Sequence, residues 1–263
     1  MSCNISIDHN SCIRDGACVK DCPRGIFYRE EDGSIGVNEK ISAECIKCGH
    51  CIAVCPGNAI TVEGLDGWNF KPAAEKLISY EEFLTLQMNR RSIRQFKPGF
   101  VSNEIIEKII EAARYSPTAK NTQSLSWMII NGREKVLKIA KAVAEGFSKI
   151  PAMAELVKSL ETGEDQVTRN ASQLAIVYGP AGYAWGSLDA ALATSAFDLA
   201  ATTLGVGTCW GGFVTTAAAK NPEISKLAGL KDGEKVYAAM MFGYPDVTYR
   251  LVPQRNPAKI TFI

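Results

Sequence analysis

The sequence predicts an α+β chain in two parts: a small cysteine-rich head over residues 1–66 and an α+β sandwich over 79–263, joined by a linker over 67–78. Three observations predict it. Eight of the nine cysteines lie within the first 55 residues. Beyond them, amphipathic helical periods alternate with short apolar runs bounded by Gly or Asn. Between the two parts, Gly64-Leu-Asp-Gly67-Trp-Asn-Phe-Lys-Pro72 is dense in residues that interrupt regular structure. At 46% hydrophobic and 22% charged residues the composition is that of a globular protein. The net charge of +1 supplies no bulk field for nucleic acid. The longest apolar run, near Ala190–Val206, is broken by Asp198 and falls short of a membrane span. MSCNISIDHN has neither a basic start nor an apolar core, so no secretory signal is visible and a cytoplasmic, thiol-reducing location is expected.

The head is an internal repeat. Cys12-Ile-Arg-Asp15-Gly-Ala-Cys18-Val-Lys-Asp-Cys22-Pro23 is echoed 33 residues later by Cys45-Ile-Lys-Cys48-Gly-His-Cys51-Ile-Ala-Val-Cys55-Pro56. The second copy is a complete C-x2-C-x2-C-x3-C-P run. It resembles the bacterial two-cluster ferredoxin run, in which three closely spaced thiolates hold one iron–sulfur cube and the fourth ligates the neighbouring one. Structural zinc also uses C-x2-C pairs, but does not call for a third Cys at the next step followed by Cys-Pro. Crossing the fourth ligand gives one set of Cys22, Cys45, Cys48 and Cys51, and a second of Cys12, Cys18, Cys55 and position 15.

Position 15 departs from the pattern, because Asp15 stands where the run has Cys. A carboxylate is a harder, weaker partner for iron in a sulfide cube than a thiolate. The second site is therefore either a 4Fe-4S cube with one carboxylate or water-derived ligand, or a 3Fe-4S cluster beside a solvated Asp15. His50 lies within the second run, but four cysteines already complete that set, so it reads as a polar neighbour. Residues 1–66 carry a net −4 and the remainder +5, a weak asymmetry. Cys3 and Cys209 are left as bystanders.

The body opens on a helix with the Ser79-Tyr-Glu-Glu82 capping box, carrying Phe83, Leu86 and Met88. Arg90-Arg91-Ser92-Ile93-Arg94 then sets three guanidinium groups and a hydroxyl within five residues, either an anion clamp or a solvated basic patch. A second helix runs from Ser102 to Arg114 with Ile105, Ile106, Ile109, Ile110 and Ala113 on one face. The loop Tyr115-Ser-Pro117-Thr118-Ala119-Lys-Asn121-Thr-Gln123 is rich in small and amide side chains that suit a flat polar ring edge. Residues 126–130 read as a strand closed by Asn131-Gly132, and residues 134–160 as a helical insertion before a polar stretch. Residues 174–179 form an apolar strand, 189–204 an Ala-rich helix, and Gly205–Phe213 a glycine-rich turn. A last strand lies around 236–243. Gly205-x-Gly207 follows a helix and lacks a third glycine, so it is no dinucleotide fingerprint.

Arg-Arg-Ser-x-Arg-x-Phe, the Ser-Pro-Thr-Ala-x-Asn-x-Gln loop, Gly-x-Gly-Thr-x-Trp and the terminal Pro253-Gln-Arg255-Asn-Pro257 occur in the order found in the nitroreductase family. Residues 79–263 resemble that family, and the full sequence resembles its ferredoxin-fused members. The resemblance implies an intertwined homodimer with FMN at its interface. It places Arg90, Arg91, Ser92 and Arg94 on the FMN phosphate, ribityl chain and pyrimidine edge, and Arg255 on the phosphate. Pro117, Thr118 and Ala119 approach the ring from the partner subunit, with Asn121 and Gln123 nearby. The Cys209–Gly212 turn lies against the ring, with a backbone N–H near Gly211 facing flavin N5 and Gly212 beside it. The Ala-rich helix is the dimer core, residues 258–263 extend along the partner, and residues 133–168 cover the substrate.

No side chain is needed as a catalytic acid or base, since the chemistry belongs to FMN. The implied activity is an oxidoreductase that passes electrons from a low-potential donor, through the iron–sulfur clusters and FMN, to a nitroaromatic, quinone or enone. Reduced ferredoxin or NAD(P)H is the implied donor; no nucleic acid or membrane partner is implied. The alternative is an electron-transfer module that serves a protein partner and turns over no small molecule.

Overall fold

Each cysteine run folds into the same short motif. Gly16 and Gly49 take left-handed backbone (φ 74° and 76°), a conformation in which Gly avoids the Cβ clash. Each then opens a one-turn helix, α1 (Ala17–Asp21) and α2 (His50–Val54), capped at its far end by Cys22 or Cys55. The computed structural model describes residues 3–263. By its internal contacts the chain forms two units, one reaching Leu77 and including Lys120–Thr122, the other comprising Ile78–Ala119 and Gln123–Ile263.

In the first unit, β1 (Ile5–Ile7) pairs antiparallel with β4 (Ile60–Val62), and β2 (Phe27–Arg29) with β3 (Ile35–Val37). Ile26, Phe27, Ile35, Ile52, Ile60 and Val62 form its buried core together with Cys3 and Cys18, and five further cysteines pack against it. That core is small, and all nine cysteines of the protein are free thiols, so no disulfide staples it. A domain this size ordinarily needs such a staple or a metal.

The second unit is built on an antiparallel sheet of order β5-β6-β8-β7, from β5 (Ser126–Asn131), β6 (Gln173–Pro180), β7 (Gly207–Trp210) and β8 (Glu234–Gly243). The central strands β6 and β8 are covered on both faces, so they read as nearly continuous apolar runs rather than alternating ones. On one face Leu174, Ile176, Ala239 and Met241 pack against α5 (Arg133–Phe147), α6 (Ala154–Glu161), α8 (Gly212–Ala218) and α9 (Pro222–Leu227). On the other, Ala175, Met240 and Phe242 meet α4 (Asn103–Ala113) and α7 (Gly186–Thr203). There Phe197 of α7 stacks on Trp127 at 5.2 Å and meets Phe242 edge-on at 5.9 Å. Gly186 opens α7 beneath the Tyr237 ring, where a Cβ would lie 2.3 Å from ring carbon.

The capping box forms as expected at α3 (Tyr80–Asn89). The Ser79 N–H donates to Glu82 Oε2 at 2.8 Å, and the Glu82 N–H donates back to Ser79 Oγ at 3.1 Å. No residue of α3 is buried. On α7 the residues facing the sheet are buried, but Leu188 and Leu192 are 60% and 48% exposed.

The helical stretch expected over residues 134–160 forms as α5 and α6. Val136, Ile139, Ala140 and Val143 of α5 are all at most 1% exposed, so that face of the helix packs under the sheet as part of one core layer. The glycine-rich Gly205–Phe213 stretch is not only a turn. Residues 207–210 form the edge strand β7, paired to β8 from Gly207↔Gly243 to Trp210↔Met240. No helix among the described residues is long and apolar enough to cross a membrane.

Candidate functional site

Two cavities in the first unit sort the cysteines. One is lined by Cys22, Cys45, Cys48 and Cys51. The other is lined by Cys12, Asp15, Cys18 and Cys55. The grouping follows from the motif geometry. Three ligands of a run come from a loop and the first turn of its helix, while the last sits at the helix C-cap and faces the other repeat. Among the described residues no three His, Cys, Asp or Glu side chains converge closely enough to hold a single metal ion. Thiols that line one cavity without converging on a single point suit a polynuclear group better than one zinc ion. This donor set fits iron–sulfur clusters.

The thiols are poised for metal and for little else. Burial pushes Cys18 and Cys45 above the ordinary thiol range and Cys51 up to about 12. Such thiols stay protonated until a metal displaces the proton. Backbone N–H groups already point at sulfur, from Lys47 to Cys45 Sγ at 3.4 Å and from Ala59 to Cys55 Sγ at 3.3 Å. Asp15 is exposed at its cavity rim and accepts from the Ala17 N–H at 3.3 Å. His50 Nδ1 lies 3.3 Å from Asp21 and lines the first cavity, a polar neighbour and not a fifth ligand.

In the second unit a pocket of about 310 Å³ brings together Arg90, Ser92 and Cys209 with Asp198, Thr208 and Trp210. Its size is that of ordinary small-molecule sites, roughly 300–1,000 Å³. The Arg90–Ser92 segment leaves the C-cap of α3 and runs beside β7, where Ser92 bridges Thr208 in parallel and the Ile93 N–H donates to the Thr208 carbonyl at 2.7 Å. Asp198 of α7 closes the arrangement. It accepts from Arg90 Nη1 at 3.0 Å and from the Thr208 hydroxyl. Sequence reasoning missed both Asp198 and Thr208, because their role exists only once α3, α7 and β7 meet. The only signal was a charged residue interrupting an apolar helix. With a guanidinium, several hydroxyls and the aromatic face of Trp210, the wall fits a polar, flat ligand such as FMN.

The other expected contacts fall in different places. Arg91 folds back to donate to the Arg90 carbonyl at 2.6 Å and to the Met88 carbonyl. Arg94 is exposed and close enough to Cys209 to oppose the upward pull of burial on that thiol. Pro117, Thr118 and Ala119 do not line this pocket. Ala119 is tied to Asp189, and the Thr118 hydroxyl accepts from the Gln123 N–H at 3.0 Å. The Asn121 amide, within the first unit, donates to the carbonyls of Ile46 and Lys47 at 3.2 and 3.0 Å. Arg255 sits in an exposed terminal segment without regular structure. In the turn where a backbone N–H near Gly211 is expected to face a flavin, the N–H of Gly211 itself donates to the Ala239 carbonyl at 2.7 Å. Glycine suits the close packing there, since a Cβ would meet Ala239 at 3.1 Å. Gly212 lies beside it as the first residue of α8.

Comparison with known proteins follows the same division. Residues 88–244 match the model of the nitroreductase family, and residues 4–56 match that of the 4Fe-4S dicluster domain. A protein of Archaeoglobus fulgidus named as an NADH dehydrogenase/NAD(P)H nitroreductase is 29% identical over 63% of this protein and 86% of its own length. Over the head, 55 residues are 44% identical to a subunit of the anaerobic dimethyl sulfoxide reductase of Haemophilus influenzae, covering 21% of this protein and 25% of that subunit. Solved nitroreductases with bound FMN share the fold. That of Bacteroides fragilis has a TM-score of 0.57 at 23% identity, and that of Desulfitobacterium hafniense 0.58 at 24%. Each match covers 69% of this protein and 98% of the solved one.

Proposed function

The chain is a member of the nitroreductase family, and from that premise we propose that it is an FMN-dependent oxidoreductase fed through its own iron–sulfur head. The observation that carries the proposal is the shared pocket wall of Arg90, Ser92 and Cys209, which brings together two segments more than a hundred residues apart in the sequence. FMN supplies hydride and single-electron transfer when bound, and clusters supply one-electron relay. Cys22, Cys45, Cys48 and Cys51 hold a 4Fe-4S cluster. Cys12, Cys18 and Cys55 hold the second, either with Asp15 as the fourth ligand or as a 3Fe-4S cluster.

The remaining residues bind and orient. Arg90, Arg91, Ser92 and Arg94 hold the phosphate, ribityl and pyrimidine portions of the flavin. Their positive charge favours the anionic reduced form, because preorganised donors stabilise developing negative charge. Pro117, Thr118 and Ala119, with Asn121 and Gln123 nearby, serve the partner's flavin in a homodimer, and Arg255 reaches its phosphate. The unburied α3 and the exposed Leu188 and Leu192 of α7 support that dimer, since such apolar surface calls for a partner. The acceptor is a flat electrophile such as a nitroaromatic, quinone or enone. The donor is reduced ferredoxin or NAD(P)H, and the setting is the cytoplasm.

The deciding experiment is anaerobic steady-state reduction of a nitroaromatic by the purified protein, with NADH and reduced ferredoxin as alternative donors. Turnover accompanied by flavin and iron–sulfur absorbance supports the proposal. Rapid electron exchange with a protein partner, without turnover of any acceptor, supports a carrier instead. A colourless protein overturns both.

A further inference from the structure

The loop after α4 ends in an unusual arrangement. The Ala119 N–H donates to both carboxylate oxygens of Asp189, at 3.2 Å each. The Tyr183 hydroxyl donates to Asp189 Oδ2 at 2.5 Å and lies 3.5 Å from the Ala119 carbonyl. One turn along α7, the Leu192 carbonyl accepts from the Ser116 hydroxyl at 3.4 Å. Asp189 is 4% exposed, so these donors and the positive end of α7, in whose first turn it sits, must meet its charge.

Just beyond Ala119 the backbone turns left-handed, and there Asn121 is held separately by the Ile46 and Lys47 carbonyls. Lys120, Asn121 and Gln123 all adopt left-handed backbone, with φ of 53°, 52° and 47°. Non-glycine residues in that region are strained, and they persist only where the surroundings over-determine them. Buried charged hydrogen bonds are among the strongest available for that purpose.

We propose that Asp189 and Tyr183 are positioning residues for the 115–119 loop, holding it in the form that receives a flavin ring. The inference rests on the reading above that Pro117, Thr118 and Ala119 face FMN. Neither residue need touch the flavin. Their work is to fix Ala119, so that the ordering of the loop is completed at folding and not at ligand binding. Loss of the carboxylate charge and of one accepting oxygen would weaken the hold on the Ala119 N–H and free the loop to relax.

The test uses the full-length protein with its clusters, stripped of flavin and titrated anaerobically with FMN. Asp189→Asn is expected to raise the FMN dissociation constant about tenfold. Tyr183→Phe, which removes one hydroxyl and preserves the carboxylate, is expected to raise it about threefold. Hydrogen exchange of the Ala119 amide should quicken in both variants. Cluster absorbance and melting temperature should stay near wild type in Tyr183→Phe, a combination that general destabilisation does not produce. Wild-type FMN affinity in both variants overturns the inference alone. A wild-type protein that takes up no flavin overturns the flavin reading and this inference with it.

Discussion

Asp198 of α7 accepts from the Arg90 guanidinium at 3.0 Å, joining residues 108 positions apart. The pair is mostly buried, with side-chain exposures of 25% and 13%, so it fixes the guanidinium more firmly than a surface ion pair would. It leaves the rest of Arg90's five N–H donors available to a ligand.

Arg90→Lys keeps the charge but loses the planar fork. FMN affinity, read from quenching of flavin fluorescence, is expected to fall by roughly tenfold, the worth of one charged hydrogen bond. Affinity equal to wild type would remove Arg90 from the site.

Asp15→Cys completes the first run. Reduced wild-type protein is expected to give two distinguishable paramagnetic signals, because the two cavities offer unequal donors. In the variant the signals should converge and the iron content rise to that of two full cubes. Two identical signals in the wild type would sink the asymmetry.

Cys209 is 8% exposed, and burial pushes its thiol above the ordinary range despite the nearby Arg94. Only the thiolate is nucleophilic, so alkylation should be slow at neutral pH and quicken as pH rises well past the usual thiol value. Mass spectrometry after iodoacetamide treatment should show Cys209 labelled at least about tenfold more slowly than in the unfolded protein. Faster labelling than an ordinary thiol would make it a reactive group.

Glu82 is held below the usual carboxylate range by hydrogen bonds from the Ser79 N–H and hydroxyl. A lowered carboxyl contributes stability above its unfolded value, about 4.3, and loses it as pH falls through the lower folded value. The start of α3 is therefore expected to fray on acidification, and Glu82→Gln to remove that pH dependence. A Glu82 titration midpoint at or above the free value, by NMR, contradicts the cap.

Gly186→Ala drives a methyl into the Tyr237 ring. Overpacking of this kind costs about 1–3 kcal/mol. Denaturant unfolding should show that loss, and an unchanged midpoint would mean the ring moves freely, contrary to its hydrogen bond to the Tyr183 carbonyl at 3.1 Å.

The head was legible almost residue by residue, since thiols three apart on one loop must face one space and the Cys before Pro must face another. The helices and strands of the body were legible too, because caps such as Ser79 and Ser102 and the apolar periods act locally. What stayed hidden is what depends on a third element. An amphipathic α5 looks the same whether it lies beneath a sheet or over a ligand. The short run 207–210 becomes a strand only because β8 offers it an edge. Asp189 and Asp198 read as helix charges until a loop N–H and a guanidinium arrive from 70 and 108 residues away.

The placement of Cys22 and Cys55 carries one more consequence. Each cavity borrows its last thiol from the opposite repeat. With the ligand sets proposed above, neither half of the head can be built, emptied or inherited alone: a cut between the repeats leaves both pieces one ligand short. The two sites are in that sense interlocked, and chelation that opens one should loosen the other in a single cooperative event.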